Sequence, residues 1–260
     1  MVYKVKGETM YQPIENEIFH VHTWRCGHAG EEQDYEYVEK AIELGASRIV
    51  FTDHCPYPGN YFLYRMDMEQ LEDYVTSMKQ LKCEYERQIE VLAGLEVEYL
   101  PRYENYYKEL KASGDYDLLL LGQHMYEHED GSYSFSELDK TKEFVGLCNA
   151  MVEGAKTGLF DVIAHPDRAF RGCREWNREM LGAAYDVINA ARANQLYLEK
   201  NYSSMRNEYQ YWESFWVRAG MEKVLYGYDA HSVAVMELFW KDAHARDLSQ
   251  EEINHLLGRK

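Results

Sequence analysis

Positive charge is scarce in this 260-residue chain, where 28 Lys+Arg face 45 Asp+Glu for a formal charge of −17 at pH 7. Non-specific nucleic-acid binding needs clustered cations to displace counterions, so this balance excludes it. Adhesion to an anionic membrane surface is excluded on the same ground. Long hydrophobic runs are also missing: no stretch approaches the ~18 apolar residues of a membrane span. The first residues, MVYKVKGETM, lack the apolar segment of a secretion signal. Proline is rare at five residues, and no Gly/Ser-rich stretch or internal repeat marks a linker. Cysteine is low and odd in number, five in all with none in C-x-x-C spacing, which predicts reduced thiols in the cytoplasm.

What is present is a globular composition, 46% hydrophobic and 28% charged. Short apolar runs of strand length fall at 18–21, 48–52, 89–95, 117–121, 162–164, 196–198 and 224–226. Several are almost continuously apolar, as strands buried on both faces are. Stretches with helical spacing separate them, at 32–44, 68–86, 103–112, 136–157, 178–193, 205–219 and 232–245. Leu71, Tyr74, Val75, Met78 and Leu81, for example, mark one helix face. Strand and helix alternating about seven times predict parallel strands with crossover helices, either as an open doubly wound sheet or as a closed barrel.

The histidines favour the barrel. Eight of ten lie at or just past the end of a predicted strand: His20, His22, His28, His54, His124, His128, His165 and His231. In a parallel barrel all strand C-termini meet at one mouth, whereas an open sheet gathers ligands at one crevice. Residues i and i+2 of a strand share a face, so His20 and His22 present two imidazoles together, and Asp229 and His231 repeat the device. Imidazole plus carboxylate is a ligand set for Zn²⁺, Mn²⁺ or Fe²⁺. The segment after the third strand offers Glu96 and Glu98; Glu96, next to the apolar run, is the expected inward carboxylate. Cys26 and Cys55 flank His28 and His54, but neighbouring strand residues point apart, which disfavours thiolate ligation. His244 and His255 read as solvated, and so does Glu127–Asp130 with His128.

Six motifs, in order, resemble the PHP (polymerase and histidinol phosphatase) superfamily. They are His20-x-His22 with His28, Thr52-Asp53-His54, Gly94-x-Glu96, Gly122-x-His124, His165-Pro166 and Asp229-Ala230-His231. The stretches Tyr64-Arg65-Met66, Gly94–Pro101 and Ala164–Asp167 are similar to the PHP-type histidinol-phosphatases in particular. The resemblance implies an α/β fold, a distorted (β/α)7 TIM-like barrel, here one domain over residues 1–260. It implies three divalent ions at the mouth. His20, His22, Glu96 and Asp229 would hold the first; Glu96 would bridge to a second with His124 and His165; His28, His54 and His231 would hold the third.

The implied activity is metal-dependent phosphomonoester hydrolysis, with L-histidinol phosphate and water giving L-histidinol and phosphate. A metal-bridging hydroxide is the implied nucleophile, since paired ions lower the pKa of a shared water. Arg168 and Arg206 match the family's substrate positions, and an arginine fork suits a phosphate; Arg65 and Arg171 are lesser candidates. Asp53 is expected either to orient a ligand or to protonate the leaving group. Lys200, Tyr202, Ser204 and Tyr228 depart from the family pattern and are expected to reshape the substrate pocket. The tyrosines at 57–64, 99–107 and 202–211 are candidates for its lining. The partner expected is a small phosphorylated substrate: histidinol phosphate, another phosphate ester, phosphotyrosine or a nucleotide. A metal-holding regulatory domain without turnover is the non-enzymatic alternative.

Overall fold

The computed structural model describes residues 11–134, 137–168, 175–201, 210–220 and 223–245. Among the described residues, seven strands alternate with seven α-helices. The strands are β1 (Glu17–Val21), β2 (Arg48–His54), β3 (Glu90–Val97), β4 (Leu118–Leu121), β5 (Val162–Ile163), β6 (Tyr197–Asn201) and β7 (Val224–Gly227). The helices are α1 (Asp34–Leu44), α2 (Leu71–Glu84), α3 (Glu104–Ser113), α4 (Lys140–Lys156), α5 (Arg178–Asn194), α6 (Gln210–Ala219) and α7 (Val233–Ala245). Strand order in the sheet follows the chain from β1 to β7, with parallel pairing. A sheet of this order needs a crossover after every strand, and the helices supply them.

The chain gathers into two compact units. One comprises Gln12–Leu95, Asp115–Asp117 and Gly227–Lys260; the other comprises Met1–Tyr11, Glu96–Gly114 and Leu118–Tyr226.

In the first unit β1 and β2 pair in register from Glu17 opposite Arg48, and the register slips between Phe19 and Val21. His20 is the extra residue, and its φ of 71° places it in the left-handed region. An extra residue in one strand is a β-bulge, which bends the strand and re-aims its side chains. On the other edge of β1 runs the segment that follows β7. Tyr228 N donates to Phe19 O at 2.8 Å, Ala230 N to His20 O at 3.1 Å, and His22 N to Ala230 O at 2.9 Å. The first strand is therefore hydrogen-bonded on both edges. Beneath them, Arg25 is buried with bonds to Asp34 (2.9 and 2.8 Å) and Asp73 (2.8 Å), tying the turn after β1 to α1 and α2.

In the second unit β4 is Leu118–Leu121, four leucines with no exposed surface. Its two faces are both covered, which is why the run reads as continuously apolar. α4 starts at Asp139, whose carboxylate accepts from the amides of Thr141 and Lys142, both at 3.1 Å. α5 starts at Asn177, accepting from Met180 N at 2.9 Å. Both are N-cap side chains satisfying amides that the first helical turn leaves open.

Candidate metal centre

Two groups of histidines and carboxylates form, one in each unit. In the first unit, β1 brings His20 and His22, the turn after it His28, the end of β2 His54, and the loop after β7 Asp229 and His231. The donor atoms of His20, His22 and Asp229 lie within 4.8 Å of one another, and so do those of His28, His54 and His231. Asp229 Oδ1 stands 3.2 Å from His22 Nε2, 3.8 Å from His20 Nε2 and 3.6 Å from His231 Nδ1. The His22 and His231 rings stack at 4.1 Å and 15°, with His54 4.3 Å from His22.

Such crowding sets the protonation states. Burial pushes the Asp229 carboxyl up, but the hydrogen bond from His22 and the proximity of His20 and His231 outweigh it and hold the group well below the usual range. Burial and the neighbouring imidazole of His22 drive His231 down to about 3 despite Asp229, with His54 and His28 adding to the fall. Near neutral pH Asp229 is thus ionised and His231 neutral, the states in which a carboxylate and an imidazole bind divalent ions.

Asp53 is fully enclosed beneath this group. Its carboxylate accepts from the Thr23 hydroxyl, from Thr23 N at 3.3 Å and from His54 N at 2.9 Å, and lies 3.5 Å from His22 Nδ1. Burial raises its pKa, but the contact with His22 and the bond from Thr23 reverse the sign and lower it. An enclosed, ionised carboxylate against Nδ1 orients the ring and leaves Nε2 for the Asp229 side.

In the second unit, β3 ends in Glu96 and β4 leads to His124, while β5 leads to His165. His165 Nε2 is 2.6 Å from Glu96 Oε1 and His124 Nε2 is 3.6 Å from it. Gly122 is required here: a Cβ on it would overlap the Glu96 carboxylate. Only one carboxylate of this segment needed to face inward, with Glu96 expected, and both turn out to be buried. Glu98 is as buried as Glu96, at 1% exposure each, and binds His124 Nδ1 at 2.8 Å. Period-2 alternation, which puts residues 96 and 98 on one face, was the available signal. Glu199 of β6, also buried, accepts from His165 N at 2.8 Å and pins a backbone held at φ 28°. Nothing in its sequence neighbourhood marked it. Arg168 follows in the turn after His165, its amide bonded to His165 O at 2.8 Å and its side chain exposed. Burial and then the Arg168 charge push His124 down to about 4, against the pull of Glu96 and Glu98.

The donor chemistry fits divalent ions. His28 Nδ1 lies 3.2 Å from Cys26 O and His231 Nδ1 3.0 Å from Asp229 O. A ring nitrogen facing a carbonyl carries the proton, so each Nε2 keeps its lone pair. His231 Nε2 is buried and has no hydrogen-bond partner among the described residues.

Several expectations change. Tyr228 does not face the histidines: it is 6% exposed, and its ring stacks on Phe239 of α7. Lys200 lies over the Trp216 ring at 6.0 Å, toward α6 and on the face of β6 opposite Glu199. Arg65 sits over the rings of Tyr57 and Phe62 at 5.5 and 5.3 Å, bracing its own loop. Of the tyrosines, Tyr57 and Tyr107 are core, and Tyr107 donates to Glu98 O at 2.9 Å. Tyr64 is exposed and meets His28 edge-on at 5.4 Å. His128 is not simply solvated but lies 3.0 Å from Glu137, and His244 stacks on Trp240 at 3.9 Å. Arg171, Tyr202, Ser204, Arg206 and His255 lie outside the described residues.

Residues 19–203 match the PHP domain family. A "probable histidinol-phosphatase" of Deinococcus radiodurans is 33% identical over 158 residues, 57% of this chain and 59% of that protein. The chain thus matches under two thirds of that relative's length. The histidinol-phosphatase of Bacillus subtilis is 26% identical over 247 residues, 82% of this chain and 92% of that protein. Among solved structures, the histidinol phosphate phosphatase of Lactococcus lactis, complexed with zinc, L-histidinol and phosphate, superposes with a TM-score of 0.66 at 18% identity, over 88% of this chain and 94% of that one. A candidate histidinol phosphatase of Listeria monocytogenes gives 0.67 at 19%, over 84% and 96%. These likenesses show the fold, a distorted (β/α)7 barrel. With its matched region spanning most of the sequence, the chain belongs to the PHP domain family.

Proposed function

We propose that this chain is a metal-dependent phosphomonoesterase, a histidinol-phosphatase that converts L-histidinol phosphate and water to L-histidinol and phosphate. The observation that carries the reading is the grouping of nine expected ligand residues into three compact sets. His20, His22 and Asp229 form one, His28, His54 and His231 another, and Glu96, His124 and His165 the third. Each set holds one divalent ion, three in all. Support comes from the relatives named histidinol-phosphatase and from the Lactococcus neighbour, which holds zinc, the product alcohol and phosphate.

Bound divalent ions supply an activated water near neutral pH and neutralise charge on the phosphoryl group. The residues do the rest. Asp53, Glu98 and Glu199 are positioning residues for His22, His124 and His165 respectively. Arg168, exposed beside His124, binds a phosphoryl oxygen through its guanidinium, and Arg206 is its proposed companion. Asp53 stays ionised and enclosed, so it orients and does not donate. The inward-packed Tyr228 and the outward Lys200 leave the pocket closer to the family pattern than their sequence positions imply, which supports histidinol phosphate as substrate.

The units interleave along the chain, so neither is a contiguous piece, and residues 1–260 act as one catalytic domain. The described cysteines form no disulfide, in keeping with a protein of the reducing cytoplasm. None of the described helices is long and apolar enough to cross a membrane.

The deciding measurement is kcat/KM on histidinol phosphate against a panel of aryl phosphate, phosphotyrosine, a nucleotide and sugar phosphates, on protein of known metal content. Histidinol phosphate should lead the panel by orders of magnitude. A value at the panel median would remove that substrate, and no turnover by fully loaded protein would remove the enzyme.

A further inference from the structure

The turn between His22 and His28 places a thiol where the strand-based expectation did not. Cys26 is not on a strand. It ends a 3₁₀ turn, Trp24–Cys26, whose Arg25 amide donates to the Thr23 hydroxyl and whose last residue is followed by Gly27 in the left-handed region at φ 73°. The neighbours-point-apart argument therefore does not apply to it. The turn buries Cys26 completely and brings its sulfur to the histidine group: the donor atoms of His22, Cys26 and His231 lie within 4.8 Å of one another. His231, the imidazole shared by this group and by the His28 and His54 set, also has a donor atom to spare. Its Nε2 atom is buried and has no hydrogen-bond partner among the described residues.

We propose that Cys26 is a thiolate ligand of this centre, so that the ion at His231 is bound by sulfur as well as nitrogen. The inference rests on the proposed metal-dependent function. It adds a donor that the imidazole and carboxylate set lacks, and the donor decides which metal is kept. Manganese prefers oxygen donors and is the weakest binder of the divalent series, whereas sulfur beside imidazole nitrogen suits zinc or cobalt. Ligation converts the thiol to thiolate, with the sulfur–proton bond broken, a metal–sulfur bond formed and one proton passed to solvent. No oxidant or reductant takes part. Cys55, the other cysteine beside a proposed ligand, turns its sulfur to Pro56 O at 3.2 Å and serves as the internal control.

The test uses the full chain stripped of metal and reloaded with Co²⁺ alone. The wild-type protein should show a near-ultraviolet thiolate-to-cobalt charge-transfer band. C55S should keep the band and C26S should lose it while retaining cobalt at His28, His54 and His231. Loading from an equimolar Zn²⁺/Mn²⁺ mixture, read by elemental analysis, should give a lower zinc-to-manganese ratio in C26S than in wild type. If C26S fails to fold, the wild-type and C55S spectra still decide. Full cobalt content with no band in the wild type overturns the thiolate and leaves the phosphatase reading standing. A band that survives in C26S, or disappears in C55S, assigns the sulfur elsewhere and also overturns it. Failure to take up any metal overturns both.

Discussion

Single side chains show how finely the ligands are held. Glu98 contacts His124 Nδ1 and lies just past the strand that carries Glu96, which faces His124 and His165. Replacing such an orienting partner weakens metal affinity about 10- to 100-fold in comparable sites. Glu98→Gln should follow that pattern, measured by competition with a chelator, while the folded secondary structure stays intact by circular dichroism. The depressed imidazoles carry a second prediction, for the metal-free protein. His231 at about 3 and His124 at about 4 bind fewer protons folded than unfolded, where a histidine titrates near ~6.5. The unfolded state then holds more protons below that value, so stability rises with pH. Urea midpoints of the stripped protein should be level above pH ~6.5 and fall steadily on acidification toward pH 4. A midpoint that is flat over this range would mean that the two rings are not held neutral.

At the scale of elements, what was legible followed from repeating physics. Leu118–Leu121 reads as a buried strand because both of its faces are covered, and the β2 segment reads the same way for the same reason. The histidine motifs were legible because strand ends converge in a parallel barrel. Three features were not. The bulge at His20 needs a left-handed residue, and sequence marks such positions only when glycine occupies them. His165 and Asp229 share that backbone class, at φ 28° and 49°, so three proposed ligands stand where non-glycine residues cost about 1–3 kcal/mol each. Lys200 and Tyr228 sit within a residue or two of proposed site groups, but alternation sends each to the helix layer, which only the paired register reveals. Glu199 acts through a backbone amide and leaves no motif. Away from the site, the capping of α4 offers a clean element-level test. Asp139→Ala removes acceptors for two amides and should lower stability by about 1 kcal/mol in denaturant unfolding, with kcat/KM unchanged.

For the whole molecule, the net charge of −17 and the attraction of an anionic substrate are reconciled only locally. The proposed ions would place up to six positive charges beside Glu96 and Asp229, while acidic residues dominate elsewhere. Anything that binds the folded state alone stabilises it by mass action, about 2.7 kcal/mol when free ligand is a hundredfold above its Kd. Chelation should therefore lower the melting temperature as well as abolish turnover, and readdition of one divalent metal should restore both together. Loss of activity without any change in melting would place the metal outside the folded centre described above.

The hydrogen bonds that join His20 and His22 to Ala230 link residues near opposite ends of the chain order. Contacts so distant in sequence form late, because a long loop must close before they reward it. During synthesis His20 and His22 emerge first and wait for Asp229 and His231, some two hundred residues behind them. A ribosome-bound chain stopped at Gly220 would contain the first pair of imidazoles with neither of the partners that complete their ion sites. If the ions bind as proposed, this centre is completed only late in translation: ribosome-stalled chains halted at that point should leave it empty, and full-length chains held clear of the ribosome by a C-terminal linker should fill it.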